Sequence, residues 1–292
     1  MELTREDLNK LKDEGKEICI YSKHISNKLR EYNTNEFKKF SRTSFYFWKA
    51  NKRPIPLSIV KKIIKEKNIS KVCVDSFSVN GGNNVIFPKK ESKEFCYVLG
   101  LILGDGCLIH RKRNENRNTY LIKIAFRKLE KANKVRLLIK NMFGKMPSVY
   151  KGRGCYELCL HSKPLVLILN KLYAIPIGEK YESMQIPKFI IKGKTTFKVA
   201  FIKGIFESDG NIYEHRGKKC VQLRQKSFKF LRGIKELSIN LGIKFRNPYY
   251  DKANNSWVLW SSKKELTDNF IKKIANFNLD GSVAQLDRAL AF

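Results

Sequence analysis

The chain has 292 residues, 42% of them hydrophobic, and carries 59 Lys and Arg against 27 Asp and Glu, a formal net charge of +32. Solubility needs far less charge than this, so the excess points to a polyanionic partner, nucleic acid first and an anionic membrane surface second. No apolar run approaches the roughly 18 residues of a membrane span, the charged N-terminus does not resemble a signal peptide, and the seven cysteines lack CxxC pairing, so they read as reduced, mostly buried thiols in a reducing compartment.

Residues 1–88 are expected to form a small helical module with a short β-hairpin linker. TREDLNKLKDEG (4–15) opens with the capping pair Thr4 and Asp7 and stops at Gly15. ISNKLREY (25–32) is a second amphipathic stretch. SFYFWKANKRPIPLSIVKKIIKEKN (44–68) is helical on both sides of a break at Pro54 and Pro56. KVCVDSFSV (71–79) alternates as a strand, NGGNN turns, and VIFPKK resumes.

From residue 89 the chain repeats itself. The first unit, 89–193, reads as a helix (92–104), strands (106–113 and 119–128), a helix (129–143), the hairpin VYKGR and CYELCL, and a helix (163–172). The second, 194–277, repeats that order: a helix (195–208), strands (211–216 and 220–226), a helix (228–241), KFRNPYY (244–250), WVLWSS (257–262) and a helix (263–274). A period near 104 residues, the distance from Asp105 to Asp209, is too long for a solenoid and indicates a duplicated half-domain. Residues 278–292 are expected to be an unstructured tail.

Each unit opens with an apolar helix that ends in Asp-Gly: VLGLILGDG (98–106) and IKGIFESDG (202–210). Gly100 and Gly104 share one helix face, as do Gly204 and Ser208. A glycine inside a helix costs about 0.5–1 kcal/mol against alanine, and small residues at this spacing let two helix backbones touch. Such packing would bring Asp105 and Asp209 together. Two carboxylates at helix C-termini repel each other and oppose the helix dipoles. A divalent cation relieves both problems, because Mg²⁺ binds one or two carboxylates with phosphate oxygens and water, and beside a phosphodiester it promotes hydrolysis. The plainer reading, two helix stops each followed by a turn, accounts better for one copy than for two matched copies.

These two stretches resemble the signature motifs of the LAGLIDADG homing endonucleases in their single-chain form, over about residues 92–277. The resemblance implies an α+β fold. Two pseudo-symmetric αββαββα repeats would form a saddle of two antiparallel sheets over the DNA major groove, with the motif helices packed at the interface. It implies a monomer, a mobile element that homes with an intron, and site-specific, metal-dependent hydrolysis of both strands of a long double-stranded DNA target. It assigns Mg²⁺ (or Mn²⁺) to Asp105 and Asp209 with the adjoining Gly104 and Ser208. LRQKSFKFL (223–231) resembles the strand end that places Gln225 and Lys226 beside the reaction, and IPIGEKYESMQIP (175–187) the segment that brings Lys180. Arg127 stands where a polar, water-ordering residue is expected, and Glu207, an acid close to Asp209, is expected to be a supporting or surface residue. No segment like that of Lys180 follows residue 274, which leaves a second lysine, and the equality of the two cuts, open.

Groove readers are expected among Arg111, Arg113, Lys123, Arg153, Arg216, Gln222, Arg224 and Arg246. The two-residue strand period puts Arg111 with Arg113, and Gln222 with Arg224, on shared faces, although any one of them is more often a phosphate contact than a base reader. FYFWKANKRPIPLSIVKKI (45–63) resembles a helix-turn-helix module attached to archaeal endonucleases. This implies phosphate contacts from Lys49, Lys52 and Arg53, a core position for Trp48, and a prokaryotic, archaeal cytoplasm. The alternative is a basic helical cap without a DNA role. The histidines show no HNH spacing, and no phosphate-loop or dinucleotide motif occurs. Two other functions suit the scaffold: an RNA maturase that binds intron RNA, and a DNA-binding regulator, against which the presence of both acids argues. Protein splicing is disfavoured, because the chain ends lack the required nucleophile and His-Asn pair. The last residues, GSVAQLDRALAF (281–292), resemble a translated tRNA gene.

Overall fold

The structure is a computed structural model that describes residues 1–11, 17–79, 84–88, 90–114 and 117–279, without the side chains of 113, 114 and 117. The N-terminal segment contains β1 (Glu2–Thr4), α1 (Arg5–Lys10), β2 (Ile18–Tyr21), α2 (Lys23–Leu29), α3 (Arg42–Lys49), β3 (Ile55–Pro56), α4 (Leu57–Glu66), β4 (Lys71–Cys73) and β5 (Ser76–Val79). The expected capping box is present: Thr4 Oγ1 accepts the Asp7 N–H at 3.1 Å, and the Asp7 carboxylate accepts the Thr4 N–H at 3.0 Å. The helix it starts is shorter than predicted, and residues 12–16, where a stop at Gly15 was expected, lie outside the described residues.

The N-terminal segment is not purely helical. β1 pairs with β4, and β2 lies between β3 and β5 in a three-stranded antiparallel sheet. At four residues, β2 is too short to show a periodicity. KVCVDSFSV, expected as one strand, is two, because the chain turns at Asp75. The Asp75 N–H donates to the Tyr21 carbonyl at 2.8 Å and its carboxylate accepts the Lys23 N–H at 3.0 Å. Phe77 and Val85 pair antiparallel, as the expected hairpin requires, while its turn at 80–83 lies outside the described residues. The stretch after that turn, expected as a strand, is extended only at the Val85 bridge and packs on the first repeat: Phe87 lies against Phe95, Phe143 and Tyr173 at centroid distances of 5.4–5.7 Å.

The first repeat runs α5 (Lys93–Leu103), β6 (Gly106–Asn114), β7 (Arg117–Phe126), α6 (Leu129–Phe143), β8 (Ser148–Lys151), β9 (Tyr156–His161), α7 (Lys163–Tyr173) and α8 (Lys188–Lys192). The second runs α9 (Thr195–Asp209), β10 (Gly210–His215), β11 (Lys218–Gln225), α10 (Phe228–Ile239), β12 (Tyr249–Asp251), β13 (Ser256–Ser261) and α11 (Lys264–Phe270). Their antiparallel sheets share one strand order, β6-β7-β9-β8 and β10-β11-β13-β12, which makes the duplication visible in the topology. Three expectations shift. α8 was not anticipated. KFRNPYY forms a strand only from Tyr249, because Pro248 has no N–H to donate to a ladder. The last helix gives way to a π turn at Ile271–Ala275.

The centre of the molecule is the pair α5 and α9. Nine consecutive residues of α5, Phe95–Leu103, are buried, so this helix is enclosed on all sides rather than along one stripe. The two helices meet backbone to backbone. A Cβ placed on Gly100 would overlap the Phe201 carbonyl oxygen, and one on Gly204 would overlap the Tyr97 carbonyl oxygen. Each added carbon would also lie 3.0 Å from the opposing glycine's Cα. Gly204→Ala is therefore expected to destabilise the protein by about 1–3 kcal/mol through overpacking, outweighing alanine's advantage in helix propensity of up to about 1 kcal/mol. Thermal unfolding followed by circular dichroism should show a lower midpoint; a raised midpoint would mean that the helices are not in this contact.

Candidate active site

Because the helix backbones touch, their C-terminal ends emerge side by side. α5 stops at Leu103 and is followed by Gly104 and Asp105, while α9 carries Asp209 as its last residue. Gly104 is needed here: a Cβ on it would lie 2.7 Å from Ser208 Oγ and 3.0 Å from Asp209 Oδ2. The Ser208 hydroxyl turns back into its own helix and donates to the Gly204 carbonyl at 3.1 Å. Both helix ends open into a cleft of about 1110 Å³. Asp105, Asp209, Gly104, Ser208, Arg127, Lys180, Gln225 and Lys226 all line it, so residues far apart in sequence and predicted for one site do meet at one site.

Each side chain has a specific support. The segment that bears Lys180 is anchored where Ile177 pairs with Leu108 and the Gly178 N–H donates to the Leu108 carbonyl at 2.8 Å. Lys180 Nζ then donates to the carbonyls of Gly104, Gly106 (2.7 Å) and Ile102 (3.3 Å), placing a cation on the negative end of α5. Burial pushes its pKa down, against the opposing pull of Asp209, Cys107 and Asp105. Gln225 is buried at the end of β11 and donates through Nε2 to Asp209 Oδ2 at 2.5 Å. Lys226 lies over the Tyr181 ring, 4.6 Å from its centroid. Arg127, just past the end of β7, is exposed.

The two aspartates lack sufficient positive charge. Burial, then the nearby Asp105 carboxylate, push Asp209 up to about 7, although Lys180 and the Gln225 hydrogen bond pull the other way. Asp105 presents surface to solvent, yet the loss of bulk water around its carboxylate still raises its pKa, opposed by Lys180, Arg127 and Lys131. This donor set suits a hard divalent cation bound through oxygen. No group of three or more His, Cys, Asp or Glu with metal-binding geometry occurs among the described residues. A cation at the paired aspartates would thus complete its shell with water, backbone oxygen or phosphate, as Mg²⁺ commonly does.

Sequence reasoning missed Lys131, Tyr97 and Tyr181, and undervalued Glu207. Glu207 was expected to be a bystander. Instead its carboxylate accepts the Tyr97 hydroxyl at 2.6 Å and pairs with Lys203 at 2.8 Å and Lys131 at 3.0 Å. Burial opposes its ionisation, but Lys131, Lys203 and the Tyr97 hydrogen bond outweigh that and hold its pKa below the usual range. No sequence signal singled out Lys131, which is one of several lysines on a basic helix.

The expected groove residues divide. Gln222 and Arg224 line the cleft, and Arg224 is ion-paired with Asp251 at 2.6 Å. Lys123 is paired with Glu157 at 2.6 Å, and Arg111 is exposed on β6. Three residues expected on strands are not there. Arg153 lies in the β8–β9 connection, and Arg246 in the irregular segment before β12. Arg216 sits in the β10–β11 turn, where it and Gly217 both have positive φ (50° and 69°), as a tight hairpin turn requires. The side chain of Arg113 lies outside the described residues. In the N-terminal segment Trp48 is buried as expected. Lys49 turns inward, donating to the Tyr32 carbonyl at 2.8 Å over the Phe45 ring, whereas Lys52 is exposed and Arg53 stacks on Phe47 at 4.6 Å.

Residues 196–275, nearly all of the second repeat, match the family description "LAGLIDADG-like domain". The second repeat is thus a LAGLIDADG-like domain. The fold of the chain superposes on that of I-DmoI in complex with DNA and Mn (TM-score 0.52, 22% identity, 64% of this chain and 98% of that one). The same holds for I-DmoI in complex with DNA and Ca (TM-score 0.52, 21% identity, 67% and 97%). Among curated proteins, a component of the A-type ATP synthase of Pyrococcus abyssi is 27% identical over 162 residues, which is 56% of this chain and 15% of that protein. The glutamine–fructose-6-phosphate aminotransferase of Methanocaldococcus jannaschii is 24% identical over 215 residues, 71% and 18%. The chain thus spans less than a fifth of each of these relatives, so the likeness is to one segment and says nothing of the activity either is named for. No helix among the described residues is long and apolar enough to cross a membrane.

The raised Asp209 has a measurable consequence in metal-free protein. A carboxylic acid whose folded pKa lies above its unfolded value binds more protons when folded, so its ionisation erodes stability as pH rises from about 4 to about 7. Asp209→Asn removes that loss. Its melting midpoint should exceed the wild type's at pH 8 in chelator, with a smaller difference at pH 5, at roughly 2–4 °C per kcal/mol. Equal shifts at both pH values would show that Asp209 does not titrate abnormally.

Proposed function

We propose that the protein is a site-specific endonuclease that hydrolyses both strands of a long double-stranded DNA target with the help of Mg²⁺ or Mn²⁺. The carrying observation is the convergence of Asp105 and Asp209 in one cleft, side by side at the ends of two glycine-packed helices and ringed by basic and amide side chains. The DNA and metal complexes of I-DmoI support this reading. Intron homing is the setting that such an activity suits.

Asp105 and Asp209 would hold a divalent cation, which would supply an activated water and charge neutralisation at the leaving oxygen. The protein's own groups do the rest. Gln225 fixes the orientation of the Asp209 carboxylate. Lys180 and Arg127 offset negative charge beside Asp105, and Arg127 contacts the scissile phosphate, with Lys226 over Tyr181 next to Lys180. The oxygen of water bonds to phosphorus, the phosphorus–oxygen ester bond breaks, the water's proton passes to solvent, and the leaving oxygen takes one back. Arg111, Lys123, Gln222 and Arg224 on the two sheets lie along the groove. The N-terminal segment adds phosphate contacts through Lys52 and Arg53.

Asp105→Asn and Asp209→Asn keep side-chain shape and remove a charge. Each should abolish double-strand cleavage of target plasmid in Mg²⁺, while gel-shift affinity in Ca²⁺ is kept or improved, since a carboxylate facing phosphates is gone. If both variants cut at the wild-type rate, the Asp-Gly endings are helix stops, and the RNA maturase reading takes over. The double variant Lys52→Glu, Arg53→Glu should weaken DNA binding, most of all at low salt, and leave the single-turnover rate of bound DNA within a few-fold of wild type. Unchanged affinity would remove the N-terminal segment from the DNA interface.

A further inference from the structure

The stretch from Ser183 to Phe206 contains no Asp or Glu and five lysines. One of them, Lys203, is engaged by Glu207. The other four, Lys188, Lys192, Lys194 and Lys198, make no side-chain ion pair or hydrogen bond among the described residues; the first three are exposed and Lys198 partly so. Lys188 and Lys192 lie one turn apart on α8, and Lys194 and Lys198 one turn apart at the start of α9. α8 is fixed against the starts of both motif helices, because Phe189 stacks on Phe95 of α5 at 6.0 Å and meets Phe197 of α9 at 6.5 Å. The four lysines therefore share one region of the surface. That region lies at the far end of the molecule from the aspartates. α5 and α9 run parallel, since Gly100 meets Gly204 and Gly104 meets Ser208, and the 15 residues of α9 span about 22 Å.

Helix stability does not account for these cations. A positive charge at a helix start opposes the dipole by about 0.3–1 kcal/mol. α5 follows the favourable rule, with Ser92 as its cap and Glu94 in its first turn, whereas α9 starts at Lys194 with no side-chain cap and no acid in its first turn. The adjoining start of α5 adds no net charge, because Lys90 and Lys93 balance Glu91 and Glu94. The chemistry of the region narrows the partner. Phe189 and Phe197 are partly buried and packed on each other, so neither ring is open to an unpaired base, which binds by stacking. Ile191, 48% exposed, is a single apolar side chain and too little for a membrane face. What remains is unpaired positive charge with the exposed hydroxyls of Thr195 and Thr196, a set suited to the phosphate backbone of a duplex.

We propose that this surface binds a second DNA duplex, through its phosphates and without regard to sequence, while the target occupies the cleft. Assigning the cleft to the target rests on the endonuclease reading above; the second surface does not depend on the chemistry of the cleft. One chain then holds two duplexes on opposite ends of its motif helices, and can pass from one DNA segment to another without releasing both.

The test saturates the cleft with a labelled target duplex in Ca²⁺ and titrates a short unrelated duplex carrying a second label, followed by fluorescence anisotropy and energy transfer. The wild type should take up both duplexes, and the second should dissociate steeply as salt rises. The quadruple variant Lys188→Gln, Lys192→Gln, Lys194→Gln, Lys198→Gln should bind the second duplex at least about 10-fold more weakly at low salt, with the slope of log affinity against log salt flattened by roughly 3–4 for four lost phosphate contacts. Its target affinity and single-turnover cleavage should stay within about 2-fold of wild type, because the cleft lies beyond a Debye length of about 10 Å. The matching lysine-to-arginine variant should keep the second duplex. If the quadruple variant loses target binding as well, the comparison is read on the two double variants, Lys188→Gln with Lys192→Gln and Lys194→Gln with Lys198→Gln. Uptake of one duplex only by the wild type, or an unchanged second affinity in the variants, overturns the proposal and leaves the nuclease reading intact. A preference of this surface for single-stranded RNA, or for vesicles of phosphatidylserine and phosphatidylcholine, also overturns it. A wild type that takes up two duplexes but cuts neither strand of the target overturns the nuclease reading and keeps the second surface.

Discussion

The contact of Gly100 with Gly204 sets everything else. Two helices joined by ordinary side-chain packing sit 8–10 Å apart, and their terminal residues diverge with the crossing angle. Bare backbone at the crossing removes that spacing, so Asp105 and Asp209 share a cleft where larger side chains would have held them in separate recesses. The same proximity explains the unusual titration of Asp209, because both carboxylates lose water and face each other at once. The glycines that tighten the core and the acids that oppose its stability belong to one device.

How much of this was legible in the sequence depended on the range of the information. The helix-strand-strand-helix order was readable because each element has its own period, and α6 came out at 129–143 as expected. The small residues four apart on two matched helices gave away the interface. The N-terminal sheets were not legible, since two-to-four-residue strands such as Ile55–Pro56 and Ile18–Tyr21 carry no periodic signal and exist only through partners distant in the chain. Arg246 and Arg216 were misplaced for local reasons: a proline two residues after one, and a turn that needs positive φ at the other. Lys49, Lys123 and Arg224 were read as DNA contacts, yet each has a partner within the protein that only the fold supplies.

The site divides in the same way. That the motif acids, the strand-end pair Gln225 and Lys226, and Lys180 share one cleft was legible in short stretches of sequence. Lys131 and Tyr97 matter only because a helix of one repeat reaches the motif helix of the other. Glu207, one residue from the Ser208–Asp209 pair, looked redundant because a carboxylate's neighbours cannot be read from its spacing. Its partners come from α5, α6 and α9.

The distribution of acids makes the electrostatic logic plain. In a chain of net charge +32, several acids near the cleft and on the sheets are answered locally: Glu207 by two lysines, Glu157 by Lys123, Asp251 by Arg224. Asp105 and Asp209 stand in no ion pair among the described residues, although lysines and arginines are plentiful around them. Lys180 comes near enough to affect both, yet its donors go to backbone carbonyls rather than to either carboxylate. A fold selected for stability alone would have closed that gap with one more side chain, at little cost in a basic protein. On the endonuclease reading proposed above, the missing charge arrives from solution, and a small divalent cation with open positions for water and phosphate meets that requirement.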